Sequence, residues 1–495
     1  MNFEIILRFS AFVLYLMIMV FIGLKHMSKN NNSSDFFLGG RKIGPWMTAL
    51  SAEASDMSGW LLMGLPGVAY LTGQKEAFWT AVGLEIGTYL NWLFVAKPLR
   101  NYTALCGNAI TIPQFLTNRF KDKSHVISFV SVIFILIFFT VYTASSFVSC
   151  GKLIHSVFGV PYFIALLIGI AVILTYTLLG GFLAVCSTDF IQGTLMFFAL
   201  IITTIIMIFT LGGPAETFTK VSTFGSQFLN PFVKDNTNFG LIDIASSLAW
   251  GLGYFGMPHI LVRFMSIRSD KDIKLSRRIA MVWVTIAFMG ALFIGAVAKA
   301  YLAVPLEEGK QETVVIASIL QTYPAFIGGI FLCAILAAAM STADSQLLVA
   351  ASAFSEDVYR GFMNKEAEPK KVLQISRITV LIIGLVAFFL SIDPNNSIFS
   401  LVSYAWAGFG ATFGPLILLS LFWRGTTKSG ALSGLVAGGV TVIVWHQLKG
   451  GIFNLYELAP GFLVCLTVAI VVSLLDKEKD PEVLKEFDEF KKACK

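Results

Sequence analysis

One apolar stretch of the sequence is interrupted near its middle by side chains that could bind an ion. The interruption contains Glu53, Asp56 and Ser58, and the sequence Gly-Leu-Pro-Gly follows at 64–67. Hydrocarbon offers no hydrogen bonds, so carboxylates and a broken backbone persist at mid-depth only against protein or a water-filled cavity. Transporters build their ion and solute sites from helices broken in this way. The alternative is a kinked helix whose Asp56 pairs with a Lys or Arg elsewhere.

A second polar cluster lies late in another apolar segment. Ser341, Asp344 and Ser345 are spaced i, i+3 and i+4 and share one helix face, with Thr342 beside them. Hydroxyls and the carbonyls of an unwound helix are hard oxygen ligands, which suit an alkali cation. We therefore expect an ion site between the break at 54–57 and the two hydroxyls of Ser341 and Thr342. The alternative is that these hydroxyls bond to carbonyls of their own helix or join neighbouring helices.

The apolar segment at 241–265 is also interrupted, because three Gly and one Pro fall within nine residues. Trp250 and Tyr254 are four residues apart there and share a face, and Tyr142 in another segment could add a third aromatic ring. Aromatic rings with polar tips suit a small organic solute. The alternative is ordinary core or lipid-facing aromatics, which are common in a chain with 45 Phe, 13 Tyr and 9 Trp.

Further acids lie in or beside apolar segments. Asp189 follows a Gly-Gly turn and should open the sixth segment, where it either caps that helix or pairs with a cytoplasmic base. In a functional interpretation it faces Asp344 and Ser345 as part of a second ion site or a cytoplasmic exit path. Glu53 and Glu85 are also intramembrane acids, and the sequence does not identify their partners.

The composition places these residues in a membrane protein. The 495 residues are 56% hydrophobic and only 13% charged, whereas a soluble domain has about 25% charged residues. The net charge of +6 does not indicate nucleic acid, because the basic residues lie in short loops between apolar segments. The spacing of the six Cys does not indicate a metal site or a set of disulfides. The sequence contains no Walker motif, which argues against an ATP-driven pump. No obligatory protein partner is evident.

We predict an all-α polytopic protein with about 13 spans at the length of ~20 residues that a bilayer needs. The segment at 316–350 should include a short outer helix before Pro324. The spans are expected at 4–25, 45–71, 78–98, 124–150, 161–180, 189–211, 241–265, 279–302, 316–350, 372–392, 398–423, 428–446 and 459–476.

The distribution of basic residues predicts the topology. With the C-terminus inside, the cytoplasmic segments hold 28 of the 36 Lys and Arg residues, which favours the N-terminus outside and the C-terminus inside. The second and seventh spans are the broken ones, so they would begin two five-helix units, and an odd number of helices inverts the second unit. The expected parts are a first helix and cytoplasmic loop at 1–44, a first repeat at 45–211, an extracellular loop at 212–240, a second repeat at 241–423, two peripheral helices at 424–476 and a cytoplasmic tail at 477–495, which should be solvated and partly helical.

Several long motifs resemble the bacterial proline-transporting members of the sodium/solute symporter family, and the resemblance covers nearly the whole chain. The motifs are Gly39-Gly-Arg41, Ser55-Asp-Met-Ser-Gly-Trp-Leu-Leu-Met-Gly-Leu-Pro-Gly67, Trp250-Gly-Leu-Gly-Tyr-Phe-Gly-Met-Pro-His-Ile260 with Arg263-Phe264, Ala334-Ile-Leu-Ala-Ala-Ala-Met-Ser-Thr342 and the Gly-rich stretch from Trp406 to Gly414. The resemblance implies sodium-coupled uptake of L-proline across the cytoplasmic membrane, the leucine-transporter-type inverted repeat, and no enzymatic activity.

The resemblance also implies functions for individual residues. Asp56 would support sodium affinity without necessarily being a ligand, and Asp189 would support sodium coupling or a second sodium. The implied sodium ligands are the backbone oxygens of Ala54, Met57 and Ala338 and the hydroxyls of Ser341 and Thr342. The implied proline-binding residues are Ser58, Gly59, Tyr142, Trp250, Tyr254 and Pro258.

The chain differs from the proline-transporting pattern at three positions. Glu53 replaces a small residue and Met257 replaces Gln near the expected solute site, so another amino acid, pantothenate or a sugar stays open as the solute. Asp344 replaces a non-acidic residue, and a further cation could bind among Asp189, Ser341, Asp344 and Ser345. A channel would instead need a continuous polar stripe, and a sensor would need a signalling domain, which the short tail does not supply.

Overall fold

A computed structural model describes residues 3–27, 33–179, 181–225, 227–234, 237–476 and 479–493, and the chain is almost entirely helical there. The first half contains α1 (Phe3–Met27), α2 (Ser33–Leu38), α3 (Pro45–Asp56), α4 (Leu65–Thr72), α5 (Gln74–Leu90), α6 (Ala96–Leu105), α7 (Ile112–Arg119), α8 (Val126–Phe158), α9 (Tyr162–Leu179), α10 (Phe182–Thr210) and α11 (Pro214–Ser222). The second half contains α12 (Leu241–Ala249), α13 (Pro258–Ser266), α14 (Asp270–Tyr301), α15 (Val314–Thr322), α16 (Ala325–Ser352), α17 (Pro369–Leu390), α18 (Ile398–Phe422), α19 (Lys428–Gln447), α20 (Leu458–Leu475) and α21 (Pro481–Ala493).

Shorter elements join or interrupt these helices. The 3₁₀ segments are Gly39–Arg41, Trp250–Gly256, Gln311–Thr313 and Gly451–Asn454, and the π-helical segments are Trp60–Gly64, Asn91–Val95 and Ala353–Met363. Two short antiparallel strands, Val233–Lys234 and Thr237–Asn238, pair in the expected extracellular loop, which also contains α11. As the sequence predicted, a short helix, α15, ends before Pro324.

Nine helices of the described chain are long and apolar enough to cross a membrane: α1, α8, α10, α14, α16, α17, α18, α19 and α20. Their outer faces expose large apolar side chains such as Leu385 and Phe389, which is typical of a surface in contact with lipid. The other four expected spans correspond to interrupted or shorter helices, namely α3 with α4, α5 with α6, α9, and α12 with α13. The total of about 13 spans and the side of each terminus remain predictions.

The first helix break lies between α3 and the π-helical segment. Met57 leaves the helical conformation with φ −78° and ψ 43°, and the Ser58 N–H bonds to the Asp56 carbonyl at 2.9 Å. A side chain at Gly59 would place its Cβ 2.2 Å from Ser149 Oγ on α8, so only glycine permits this close approach. The broken segment is therefore held directly against a long neighbouring helix.

The second break has a different geometry. The chain runs as a 3₁₀ helix from Trp250 to Gly256, extends at Met257, and resumes as α13 with Pro258 in the first turn, where proline costs no hydrogen bond. A Cβ at Gly251 would lie 2.2 Å from the Gly83 carbonyl oxygen of α5. The glycines of this segment therefore let its backbone pack directly on a neighbouring helix.

The predicted start of the sixth span and the predicted solvation of the C-terminal tail were wrong. Helix α10 begins at Phe182 and not at Asp189, so Asp189 lies two turns inside the helix and cannot be its N-cap. The C-terminal tail is helical in part, as predicted, but helix α21 is not fully solvated, because it packs on the protein: Phe490 is buried and stacks on Tyr102 with 4.0 Å between ring centroids. Both errors have one cause, since the sequence shows which residues are polar but not which faces are covered.

The loop before α8 provides a test of local stability. Asp122 accepts hydrogen bonds from the N–H groups of Ser124 and Ile127, and its carboxylate lies 2.6 Å from Lys428 Nζ at the start of α19. Burial raises the pKa of Asp122, but hydrogen bonds from Lys428 and Ser124 outweigh burial and lower that pKa to about 2. Asp122 therefore ties the start of α8 to the start of α19.

We expect Asp122→Asn to lower the free energy of unfolding at pH 7 by about 1–2 kcal/mol, since Lys428 is 42% exposed and water screens the pair. A carboxyl with a depressed folded pKa stabilises above its unfolded pKa of about 4, and this stabilisation is lost as the pH falls towards 2. Thermal unfolding in detergent between pH 7 and 2.5 should show the two proteins converging in acid. The exposed acid variant Glu366→Gln should show no such difference, and a constant gap for Asp122→Asn would contradict this assignment.

Candidate functional site

Asp56, at the end of α3, faces the second broken helix. Its carboxylate Oδ2 accepts a hydrogen bond of 2.6 Å from the Tyr254 hydroxyl, and the Asp56 carbonyl lies 3.3 Å from the Tyr142 hydroxyl. No Lys or Arg of the described chain forms an ion pair with Asp56, which is 5% exposed. The sequence alternative of a kinked helix stabilised by a basic partner is therefore wrong.

A narrow cavity lies at the junction of the two breaks. It is so constricted that it has room for about one water molecule. It is lined by Asp56, Met57, Trp60, Leu84, Tyr142, Trp250, Tyr254, Val402 and Trp406. Both helix breaks and α8, α5 and α18 thus contribute to one mid-protein cavity with a single carboxylate and a wall of aromatic rings.

The structure brings together some of the expected solute-binding residues but not all of them. Tyr142, Trp250 and Tyr254 line the cavity. The Ser58 hydroxyl accepts the Trp60 N–H at 3.1 Å, and Gly59 packs against Ser149. Pro258 is buried at the start of α13 and is not part of the cavity wall.

Four of the residues that line the cavity were not predicted from the sequence. Trp60 and Trp406 belong to the conspicuous motifs, and their aromatic type beside glycines was the available signal. Trp406 Nε1 donates to the Trp250 carbonyl at 2.7 Å, and a Cβ at Gly253 would lie 2.0 Å from that nitrogen. The other two are Leu84 and Val402, which carried no signal because an apolar residue in an apolar helix is unremarkable.

Aromatic rings close one end of the cavity. Phe399, at the start of α18, lies over Trp60 and Trp250 with ring centroids 6.1 and 5.2 Å away. Glu312 accepts the Phe399 N–H at 3.0 Å and also pairs with Lys152 Nζ at 2.7 Å. This buried ion pair therefore holds the covering ring in place from α8.

The candidate sodium ligands meet at the first break. Ser341 Oγ donates to the Ala54 carbonyl at 2.7 Å and lies 3.4 Å from the Ala338 carbonyl, and Thr342 Oγ1 donates to the Ser55 carbonyl at 2.9 Å. The shortest contact of each hydroxyl thus crosses to α3 and does not return to its own helix. The Ser55 carbonyl was not among the predicted ligands.

The broken backbone explains why these carbonyls can accept hydrogen bonds from another helix. In a continuous helix the Ala54 carbonyl would accept the Ser58 N–H, but that N–H bonds to Asp56 instead. Oxygen atoms of hydroxyls and carbonyls are the donors that hard cations prefer. Met57, the remaining predicted ligand, lines the aromatic cavity next door. The donor set therefore fits a sodium ion.

The residues predicted to bind a second cation lie around the positively charged guanidinium of Arg263. Arg263 of α13 lies 3.2 Å from Asp189 Oδ2, and the same guanidinium nitrogen donates to Ser345 Oγ. Ser51 of α3 donates to Asp189 at 2.6 Å. Asp344 accepts a hydrogen bond from Thr177, and one carboxylate oxygen of Asp344 and one of Asp189 have no partner in the described chain.

The remaining singled-out residues do not line the aromatic cavity. Glu53 accepts a hydrogen bond from Trp92 Nε1 at 3.1 Å, and Glu85 accepts one from Thr285. Met257 is completely buried, and its carbonyl accepts two N–H groups at the start of α13. His259 is fully buried against Phe139.

These features define a class of protein. Two broken helices meeting at an all-oxygen site and a small aromatic cavity, within a bundle of apolar helices, are the architecture of a secondary transporter. A Na⁺-coupled sialic acid symporter shares this architecture over 96% of this chain and 99% of its own, with a TM-score of 0.78 at 19% identity. The fold is accordingly the leucine-transporter-type fold.

Sequence comparison identifies the family. Residues 36–438 match the sodium:solute symporter family, and the chain belongs to that family. It is 44% identical over 483 residues to the osmoregulated proline transporter OpuE of Bacillus subtilis, covering 96% of both chains. It is 45% identical to the high-affinity proline transporter PutP of the same organism, covering 95% of this chain and 99% of the relative, and 44% identical to the sodium/proline symporter of Escherichia coli, covering 97% and 95%. The protein is thus a transporter and not an enzyme.

The Arg263–Asp189 pair can be tested by its effect on stability. Both side chains are at most 1% exposed, so Arg263→Met leaves a buried carboxylate unpaired, and we expect it to cost about 3–5 kcal/mol of unfolding free energy. The double variant Asp189→Asn/Arg263→Met removes both charges and should recover most of this loss in thermal unfolding experiments.

The matched control is Arg268→Met, which removes an exposed base paired with Asp272 and should change stability by less than about 1 kcal/mol. If the double variant loses as much unfolding free energy as Arg263→Met and Asp189→Asn lose together, the two side chains do not depend on each other.

Proposed function

We propose that this protein is a sodium-coupled symporter that takes up L-proline across the cytoplasmic membrane by alternating access. The observation that supports it best is the contact of the Ser341 and Thr342 hydroxyls with the free carbonyls of Ala54 and Ser55. An ion bound by these oxygens would lie within two residues of Asp56, which lines the aromatic cavity. Three relatives at about 44% identity are named as proline transporters or symporters.

Sodium would bind first, at the backbone oxygens of Ala54, Met57 and Ala338 and the hydroxyls of Ser341 and Thr342. The hydroxyls would turn their protons away from α3 and offer lone pairs to the ion. Asp56 adds negative charge nearby. Because the ion joins α3 to α16, its binding would order the broken segment beside the cavity and raise the affinity for solute. Thermodynamic reciprocity requires the solute to raise sodium affinity by the same factor.

Proline would enter the cavity that Tyr142, Trp250 and Tyr254 line. Its carboxylate would meet the helix N-terminus near Ser58 and Gly59, where the helix dipole favours an anion. Its ring would lie against Trp250 and Tyr254. Because the cavity now has room for about one water molecule, these side chains must separate before a solute fits.

Alternating access requires each end of the cavity to open in turn. In the proposed topology, with the N-terminus outside and the C-terminus inside, the Phe399 ring and the Lys152–Glu312 pair close the outer end. We propose that the units at 45–211 and 241–423 are the inverted repeats that rock against each other, with residues 1–44 and 424–476 peripheral to them. The loop at 212–240 would then be extracellular and the tail at 477–495 cytoplasmic.

Two alternatives keep the same fold. Another small solute, such as another amino acid, pantothenate or a sugar, would use the same cavity, with Met257 and Glu53 as the nearest differences from the proline pattern. A further cation could bind among Asp189, Ser341, Asp344 and Ser345. Arg263 weakens the second alternative, because its guanidinium already supplies a positive charge between Asp189 and Ser345.

Uptake of radiolabelled L-proline into proteoliposomes tests the proposal. We expect accumulation with an inward sodium gradient and none without it. Ser341→Ala, Thr342→Ala and Asp56→Asn should each raise the sodium concentration for half-maximal uptake by about 5- to 160-fold, because loss of one favourable interaction with the ion costs about 1–3 kcal/mol.

The control variant is Ser352→Ala, which removes a hydroxyl of the same helix that bonds only to the Val349 carbonyl in the described chain, at 2.8 Å. It should leave sodium activation unchanged. Sodium-independent proline uptake would refute the coupling, and absence of proline uptake with sodium-driven uptake of another solute would refute only the solute assignment.

A further inference from the structure

The C-terminal helix α21 is docked on the body of the protein by one apolar face. Val483, Phe487 and Phe490 are spaced i, i+4 and i+7, and each is at most 6% exposed. The Tyr102 ring of α6 stacks on Phe490 with an angle of 9° between the ring planes. A helix of 13 residues is only marginally stable alone in water, so α21 depends on this contact.

Helix α21 contacts both of the proposed repeat units. Glu486 forms an ion pair with Lys121, which belongs to the first unit. Lys491 Nζ lies 5.1 Å from the centroid of the Phe422 ring, which belongs to the second unit. The two units have to change their relative position for the protein to open to the cytoplasm, and a helix docked on both of them resists that change.

An exposed ion pair adds to this contact. Arg424, which follows α18, donates two hydrogen bonds of 2.8 and 2.9 Å to the carboxylate of Asp488. The two side chains are 52% and 48% exposed, so dissolved salt screens their attraction. This part of the contact therefore breaks easily and weakens as the ionic strength rises.

The docked helix also covers a guanidinium that lacks hydrogen-bond partners. Arg119 of α7 is completely buried, and its Nε donates to the Ser420 carbonyl at 3.3 Å. Its other two nitrogen atoms have no hydrogen-bond partner in the described chain, and the Phe487 ring lies 5.1 Å from the guanidinium carbon. A ring face attracts a cation but does not replace the hydrogen bonds of water. Release of α21 would hydrate Arg119, which offsets part of the lost apolar burial.

We propose that α21 is an autoinhibitory latch, which must leave the body of the protein before the transporter can open to the cytoplasm. Docked α21 holds the two repeat units together at that end, and released α21 lets them rock. Higher ionic strength in the cytoplasm would favour release, because it screens Arg424 from Asp488. The inference rests on the proposed symport function and topology, and it adds a control of the transport rate.

Cys106 provides a reporter of release that is already present in the chain. Its thiol lies beside Glu486 of α21 and is 1% exposed. Burial, and after it the neighbouring Glu486 carboxylate, raise the pKa of the Cys106 thiol, so this thiol should react slowly with a maleimide while α21 is docked. Peptide mass spectrometry measures its alkylation separately from that of the other Cys residues.

Reversal of one charge tests the latch. Asp488→Arg brings two guanidinium groups together, and N-ethylmaleimide should alkylate Cys106 of the purified full chain about two- to fivefold faster in this variant. The double variant Arg424→Asp/Asp488→Arg restores an ion pair and should restore the slow rate. The matched control is Glu489→Arg, which makes the same change of charge at an exposed residue of α21 and should leave the rate unchanged.

Salt provides a readout that a general loss of stability would not imitate. Raising KCl from about 50 to about 500 mM screens both the attraction in the unchanged protein and the repulsion in Asp488→Arg. The two alkylation rates should therefore converge at high salt. A difference between them that stays constant with salt would overturn the assignment of the Arg424–Asp488 pair to the latch.

Transport measurements connect release with function. In proteoliposomes with an inward sodium gradient, Asp488→Arg should raise the maximal rate of proline uptake by about two- to fivefold, and the charge-swapped double variant should return it to that of the unchanged protein. Unchanged or slower uptake in Asp488→Arg, together with faster alkylation of Cys106, would overturn the inference, because α21 would then leave without limiting transport. Unchanged alkylation in Asp488→Arg would overturn it as well.

Absence of sodium-driven proline uptake in all of these proteins would instead refute the proposed function. Alkylation of Cys106 would then decide the latch separately. A faster rate in Asp488→Arg that the charge swap reverses would support a helix that docks and releases, and equal rates would overturn it.

Discussion

Burial of ionisable groups among apolar helices is the constraint on which the rest of this structure depends. Asp56, Asp189 and Asp344 are each at most 5% exposed, and hydrocarbon can stabilise none of them. Each therefore has a donor on another helix: Tyr254 for Asp56, Arg263 for Asp189, and Thr177 for Asp344. The partners bring the two broken helices together, so satisfying the acids also assembles the site.

The same constraint connects ion binding with movement. The carbonyls of α3 are free because its hydrogen-bond ladder ends at Asp56, and the hydroxyls of α16 now satisfy them. An ion would replace these hydrogen bonds with stronger contacts between the same two helices, one turn from the solute cavity. Glycine makes this compact arrangement possible, since any side chain at Gly59 or Gly253 would overlap a neighbour. In the proposed mechanism, an ion bound at these oxygens would act on the cavity through α3.

Much of the site could be predicted from the sequence because its signals are local. A carboxylate or a cluster of glycines inside an apolar segment conflicts with a lipid environment, so the breaks near Asp56 and Gly251 and the pairing of Ser341 with the first break were identifiable by composition and spacing. The aromatic residues Trp250 and Tyr254 were identifiable by their position beside a break. The helical class followed in the same way from the length of the apolar segments.

Only the tertiary structure decided which groups face each other. The sequence could not show that Arg263 lies between Asp189 and Ser345, that α21 packs on Tyr102, or that Leu84 and Val402 line the cavity. It also could not show that Glu53 keeps one oxygen without a partner. The physical reason is that these contacts join residues far apart in the chain, and their geometry depends on how whole helices pack. Residue type determined where polar groups needed hydrogen-bond partners, and helix packing determined which partners they have.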